Sequence, residues 1–358
     1  MTTVAVARSD RLWLRSMRWD LTFVVGSAVL AAVPLSLFYV FGVSTTAINF
    51  LVAGLMGGPH LYSTFGYTLA EPSFRRRYSW LLLPCLAIPV GVAWLAVANM
   101  TLLLTIFFFW ASVHVLHQIA YVNDVYREKD VRPRPLWGRV VDYGLIFTGL
   151  YPFASFKLVR GEFVVGGSHP LLLPEFARHE WIAWVVVALF ATFLVLYIVK
   201  TIGEWRTGRL NVPSVALIGV TTVVSLAIPL FKNLDVAFQG YNTWHSFQYL
   251  ALVWYLNSLR KEQGEITNRV ISAVSGTGRG WAFYGFHLAL TGAALAAIML
   301  LYHGIGLDWA QSYYTVVLGS LLIHYYVDHL VFTRARAMVG SAASAPSQPS
   351  QRVRLAAS

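Results

Sequence analysis

The sequence predicts an all-α, polytopic transmembrane helix bundle of about ten spans with both termini cytoplasmic, and three observations predict it. Hydrophobic residues make up 57% of the 358 and charged ones only 12%, for a mean hydropathy of +0.59. Apolar runs of about 20 residues recur along the chain, the length a helix needs to cross hydrocarbon. The basic residues are distributed with one strong bias, as the positive-inside rule requires of an even number of spans.

The runs place helices at 21–43, 47–70, 79–98, 101–122, 140–156, 181–203, 213–231, 236–258, 281–302 and 311–332. The first follows Arg8, Arg11, Arg15 and Arg18, a charged start like that of a signal peptide. Its length and the lack of an Ala-x-Ala exit make it a retained span. The second opens on the small-residue stretch before His60, where glycines and a proline permit close helix approach or a kink. The third follows the Arg75-Arg76-Arg77 run and holds the chain's one cysteine, Cys85, so there is neither a disulfide framework nor a cysteine-based metal box. The fourth carries WASVHVLHQ. Between the fifth and sixth lies the longest outer loop, 157–180, whose FVVGG and HPLLLPEF segments are apolar enough to pack back onto the bundle. The eighth carries GYNTWHSFQYL, the ninth FYGFH and the tenth LLIHYYVDHL.

With the N-terminus inside, 23 of the 27 Lys and Arg fall on the cytoplasmic side, leaving only Lys157, Arg160, Arg178 and Lys232 outside. The expected location is the cell inner (plasma) membrane, as a multi-pass protein. One transmembrane domain, 1–336, is followed by a tail, 337–358, too poor in apolar residues to fold. The net charge of +11 is this bias, helped by attraction to anionic lipid heads. No soluble domain flanks the basic runs to present a groove, so nucleic acid is not an expected partner. SGTGRG at 275–280 has no strand before it and reads as a connector rather than a phosphate loop.

Seven of the ten histidines, His60, His114, His117, His245, His287, His324 and His329, fall inside the apolar segments. An ionisable group at membrane depth needs a partner and marks function. Position along each helix converts to depth at ~1.5 Å per residue. His60, His114 and His324 lie thirteen residues into their helices, His117 sixteen, His245 nine and His329 eighteen, while His287 is fifteen from the outer end of its own. They form one layer from the midplane into the cytoplasmic half, which points to a buried metal site. Residues three or four apart share a helix face. His114 and His117 therefore pair, with Asp124 continuing their stripe, and His324 pairs with Asp328. His329 is turned from His324 by about 140°. Asn242, His245, Gln248 and Tyr249 form a polar stripe that must face the interior. His169, His179 and His303 are expected to be solvated outer residues.

An imidazole-rich set without thiolate suits iron, copper or zinc and disfavours magnesium or calcium. His-Glu-x-x-His is absent and no glutamate lies within the ten spans, which argues against zinc hydrolysis. The direct ligands expected are His60, His114, His117, His245 and His324, with Asp328 a ligand or a carboxylate that orients one. His287 and His329 are expected to support these ligands or to take a second metal position. Trp110, Tyr249, Tyr325 and Tyr326 are expected to be helix packing.

Histidines from several membrane helices around one layer resemble the membrane non-haem iron oxygenases, of the fatty-acyl desaturase and alkane hydroxylase type and the Brp/Blh carotene-cleaving type. GPHLY is similar to the Gly-x-Pro-His start of a Brp/Blh motif, without the acidic residue that follows there. HVLHQ lacks the double histidine of the desaturase boxes, and His324 to His329 is one residue too long for them. The resemblance implies iron, a lipophilic small-molecule substrate drawn from the lipid bilayer, and an electron donor. Two other readings stay open: a haem protein with histidine axial ligands, serving electron transfer or an oxidase, and a proton-coupled transporter lined by His, Asp, Asn and Gln.

Overall fold

A computed structural model describes residues 12–130, 132, 135–166 and 168–344, with 332–344 as backbone. Helix dominates, and helical segments occupy all ten expected ranges: α1 (Met17–Tyr39), α2 (45–67), α3 (Ser79–Ala98), α4 (Met100–Glu128), α5 (Leu136–Thr148), α6 (Tyr151–Val159), α7 (Glu180–Arg206), α8 (Val212–Leu230), α9 (Leu234–Glu262), α10 (Gly280–Ile305) and α11 (Trp309–Ser344). Among the described residues the strands are a two-residue antiparallel pair, β1 (Val164–Val165) and β2 (His169–Pro170), in the loop after α6.

Six of these helices, α1, α3, α4, α7, α8 and α10, are long and apolar enough to cross a membrane. The others depart from the expectation for physical reasons. The range 140–156 is broken at Gly149 and Leu150 into α5 and α6, with Pro152 in the first turn of α6, where its missing N–H costs nothing. Helices α2, α9 and α11 carry histidine, amide and carboxylate side chains that lower their hydropathy, and His60, His245, Gln248, His324 and Asp328 among them are buried inside the bundle. The helix of α11 runs on to Ser344, through the first residues of the expected tail. Residues 345–358 lie outside the described ones.

Three of the apolar helices, α3, α7 and α10, lie on the outer surface. On α3, Trp80, Leu83, Leu86, Val90 and Trp94 are exposed, and on α7 so are Trp181, Trp184, Val195, Val199 and Trp205. An apolar surface this continuous is a lipid-facing one. Trp184 and Trp205 stand about 32 Å apart along the helix axis. That separation matches a hydrocarbon layer of about 30 Å with an aromatic side chain at each interface. The main core lies between α1, α4, α5, α8 and α9, around Trp244, Tyr249, Leu116 and Ile119.

At one end of the bundle, charged groups are buried together. Arg127 on α4 donates to Glu204 on α7 (3.0 Å) and lies 3.4 Å from Asp142 on α5. Lys200 on α7 donates to Asp142 and stands 3.8 Å from Glu204. Asp124 accepts from Arg139 (2.6 Å) and Tyr143 (2.8 Å). These pairs tie α4, α5 and α7 together beneath the histidine layer.

Asp142 is 0% exposed and Lys200 4%, so losing one partner strands a buried charge. Asp142→Leu is expected to cost about 3–5 kcal/mol in unfolding measured in detergent, and Asp142→Leu combined with Lys200→Met to recover part of the loss. A single-variant loss below about 0.5 kcal/mol would show that the cluster carries no structural burden.

Candidate metal centre

Each histidine is aimed by local features of its helix. On α2, Ser44 caps the first turn by accepting from Ala47 N (3.2 Å). The helix then widens into a π turn at Ala53–Gly57, directly before Gly58, Pro59 and His60. A π turn is a frequent device beside functional residues. Gly58 makes the close approach to α10 possible, since a Cβ there would stand 2.4 Å from Thr291 Cγ2. On α4, Asn99 accepts from Leu102 N (3.0 Å), and on α9, Asn233 accepts from Val236 N (3.1 Å). Both caps set the phase that presents His114 and His245 to the interior.

Four histidines from four helices, His60, His114, His245 and His324, meet with one ring nitrogen each, all within 4.8 Å of one another. All four are buried, none more than 7% exposed. His324 Nε2 lies 2.8 Å from His60 Nε2 and 3.2 Å from His114 Nε2. The His245 ring centroid is 4.7 Å from that of His60 and 5.2 Å from that of His114. Nitrogens bound about 2.1 Å from one ion stand about 3.0 Å apart at right angles and about 3.4 Å apart at tetrahedral angles. The observed Nε2 separations match those distances.

The donor set also fits an ion chemically. A neutral imidazole has one N–H and one lone pair, so three converging Nε2 atoms cannot all be satisfied by each other. His60 Nδ1 and His245 Nδ1 are buried without a hydrogen-bond partner among the described residues. A cation shared by the ring nitrogens relieves the crowded lone pairs. Rings frame the cluster: Tyr249 stacks on His60 (4.4 Å, 20°) and Tyr325 on His114 (4.1 Å, 26°). Tyr249, expected both in the polar stripe of its helix and in helix packing, and Tyr325, expected to pack helices, flank the rings of the cluster.

Asp328 stands beside the four rather than among them. Its Oδ2 lies 3.8 Å from His114 Nε2, and its Oδ1 accepts from the Tyr249 hydroxyl. The other three expected histidines are placed outside the cluster. His117 is half-buried and packs on Tyr121 (4.3 Å). Three residues past His114, it is rotated by about 60° and displaced by about 4.5 Å, enough to aim it at different neighbours. His287 is buried on α10, bonds through Nδ1 to Phe283 O (2.8 Å) and lies against Gly66 of α2. His329 bonds through Nδ1 to Tyr326 O (2.9 Å), on the face turned from His324 as the helix period requires. Of the three histidines outside the layer, His179 and His303 are exposed, whereas His169 is half-buried and paired with Thr101 Oγ1 (2.9 Å).

A cavity of about 1300 Å³ reaches the cluster. At its inner end it is lined by His60, His245 and Tyr325, and its walls include Phe107, Leu288 and Ile298. From Asn233 at its far end to His245 is twelve residues of one helix, about 18 Å. Thr64 of α2, which sequence reasoning did not single out, is buried beside the cluster with its hydroxyl 2.7 Å from His324 Nδ1. The available signal was its position four residues after His60, one turn along the same face. Comparison with protein-family models, curated proteins and solved structures finds no match to this chain.

Proposed function

We propose that the chain is an integral membrane metalloenzyme of the inner (plasma) membrane, a non-haem iron oxygenase, hydroxylase or desaturase acting on a lipophilic substrate. The observation that carries this reading is the convergence of four buried histidines at the end of a long, largely apolar cavity. His60, His114, His245 and His324 would hold the iron. Iron, when bound, supplies the activation of dioxygen that attack on an unactivated carbon centre demands. The imidazole set would also accept copper or zinc, and the apolar cavity favours oxidative chemistry over hydrolysis. An electron donor completes the reaction. A haem between two of the rings would need the flat space beside them, where the other two rings stand.

The residues of the chain divide the remaining work. Phe107, Leu288 and Ile298 exclude water and match a hydrocarbon chain or isoprenoid already partitioned into the bilayer. Asn242, about a turn before His245, and Ser246, next to it, are bonded to each other (3.1 Å) and put amide and hydroxyl groups on the cavity wall. In this reading all ten segments span, with both termini cytoplasmic. The four less apolar segments cross because their polar side chains face the interior of the bundle, and the 23 to 4 division of basic residues supports the orientation.

Metal analysis and an optical spectrum of the purified protein test the chemistry: the expectation is bound iron without a Soret band, and a Soret band would replace this reading with the haem one. Among variants, His60→Ala, His114→Ala, His245→Ala and His324→Ala should each release most of the metal. His117→Ala and His329→Ala should keep most of it, and His303→Ala all of it. Metal content that tracks His117 as strongly as His114 would overturn the assignment of the four. For topology, Arg76→Cys and Glu162→Cys in a Cys85→Ala background should label oppositely with an impermeant thiol reagent added to intact cells. Only the second should react, and equal labelling would contradict ten spans.

A further inference from the structure

We infer that Thr64 and Tyr249 are positioning residues, a two-hydroxyl relay through which the carboxylate of Asp328 fixes the tautomer of His324. Its role in metal binding rests on the function proposed above, but the tautomer assignment does not. The relay is continuous. His324 Nδ1 lies 2.7 Å from Thr64 Oγ1, Thr64 Oγ1 lies 2.5 Å from the Tyr249 hydroxyl oxygen, and the Tyr249 hydroxyl donates to Asp328 Oδ1. Thr64, Tyr249 and His324 are 0% exposed and Asp328 3%, so water does not compete for these bonds.

With Asp328 ionised, counting protons sets the direction of every bond. An ionised carboxylate only accepts, and threonine and tyrosine carry one hydroxyl proton each. Tyr249 gives its proton to Asp328, so Thr64 must give its own to Tyr249. Thr64 then has only lone pairs to offer His324, which must carry its proton on Nδ1. A neutral imidazole has one N–H, and Nε2 is left with a lone pair. That is the nitrogen facing His60 Nε2 and His114 Nε2.

The geometry does what a direct carboxylate–histidine pair does for a metal ligand, which is to fix the ring, set the tautomer and raise its basicity. Here the carboxylate is on the ligand's own helix, one turn away, yet its influence travels through α2 and α9. Thr68, Thr243 and Thr291 donate to the carbonyl four residues back, whereas Thr64 makes its bonds across helices to His324 and Tyr249. Because Tyr249 also stacks on His60, the relay orients two of the four rings.

The test uses the full-length protein, titrated with ferrous iron alone, and the ring-nitrogen NMR spectrum of metal-free protein labelled with ¹⁵N-histidine, the His324 signals assigned by His324→Gln. Thr64→Val, Tyr249→Phe and Asp328→Asn should each weaken iron binding by about 10 to 100-fold. Thr64→Ser, which restores the hydroxyl, should bind like wild type. Combining Tyr249→Phe with Asp328→Asn should cost no more than either change alone, because both break one chain. In metal-free wild type the His324 proton should be on Nδ1, and Thr64→Val should release it from that state. Iron binding with the His324 proton on Nε2 in metal-free protein, or equal losses in Thr64→Ser and Thr64→Val, would overturn the relay and leave the metal reading standing. A wild type that takes up no iron yet shows the Nδ1 proton, lost in Thr64→Val, would remove the metal reading and support the relay.

Discussion

Hydrocarbon cannot hydrogen-bond, and every other choice in this structure follows from placing imidazoles where hydrocarbon is the solvent. Each polar group carried to that depth must meet another. His60, His114, His245 and His324 do so by converging from four helices. Gln118 does so by donating to Gln248 (2.8 Å), which in turn donates to Val24 O (2.7 Å). The division of labour between helices has the same origin. Those burdened with polar groups are drawn inside, and α3 and the apolar stretch of α7 before Lys200 are left to face lipid.

Specificity of aim comes from small backbone features rather than from the histidines themselves. Gly58 lets α2 approach Thr291 on α10, and asparagine caps fix the phase of α4 and α9. The buried ion cluster of Arg127, Asp142, Lys200 and Glu204 anchors α4 and α7 at the end nearer the charged loops. Precision at the cluster thus depends on contacts well away from it.

The class of protein and the ranges of the helices are legible in the sequence, because hydropathy and rise per residue are properties of single helices. His114 and His324, about 210 positions apart, do meet. What a single helix cannot reveal is which way it turns relative to its neighbours. Sharing a face with His114 places His117 only within about 60° of it, and this suffices to send it to Tyr121 instead. His245, read from its polar stripe, joins the cluster, while His287, counted in the same layer by sequence, is held against Gly66 and Phe283 O. Thr64 looks like any helix threonine until α9 and α11 are brought beside it. The break at Gly149 has no clear sequence signature, because glycine is ordinary in membrane helices and only its pairing with Pro152 makes it a joint.

The π turn at Ala53–Gly57 has a consequence for how this protein tolerates change in length. A π turn accommodates one residue more than an α-helix would over the same rise, so everything after it is shifted in phase by about 100°. His60 points at His324 because of that additional residue, not because of any side chain in AGLMG. Substitutions there that keep the residues small leave the aim intact, whereas loss of one residue, even a glycine, would let α2 relax to regular winding and swing the imidazole toward a different neighbour. The spacing of this stretch is therefore under tighter constraint than its spelling.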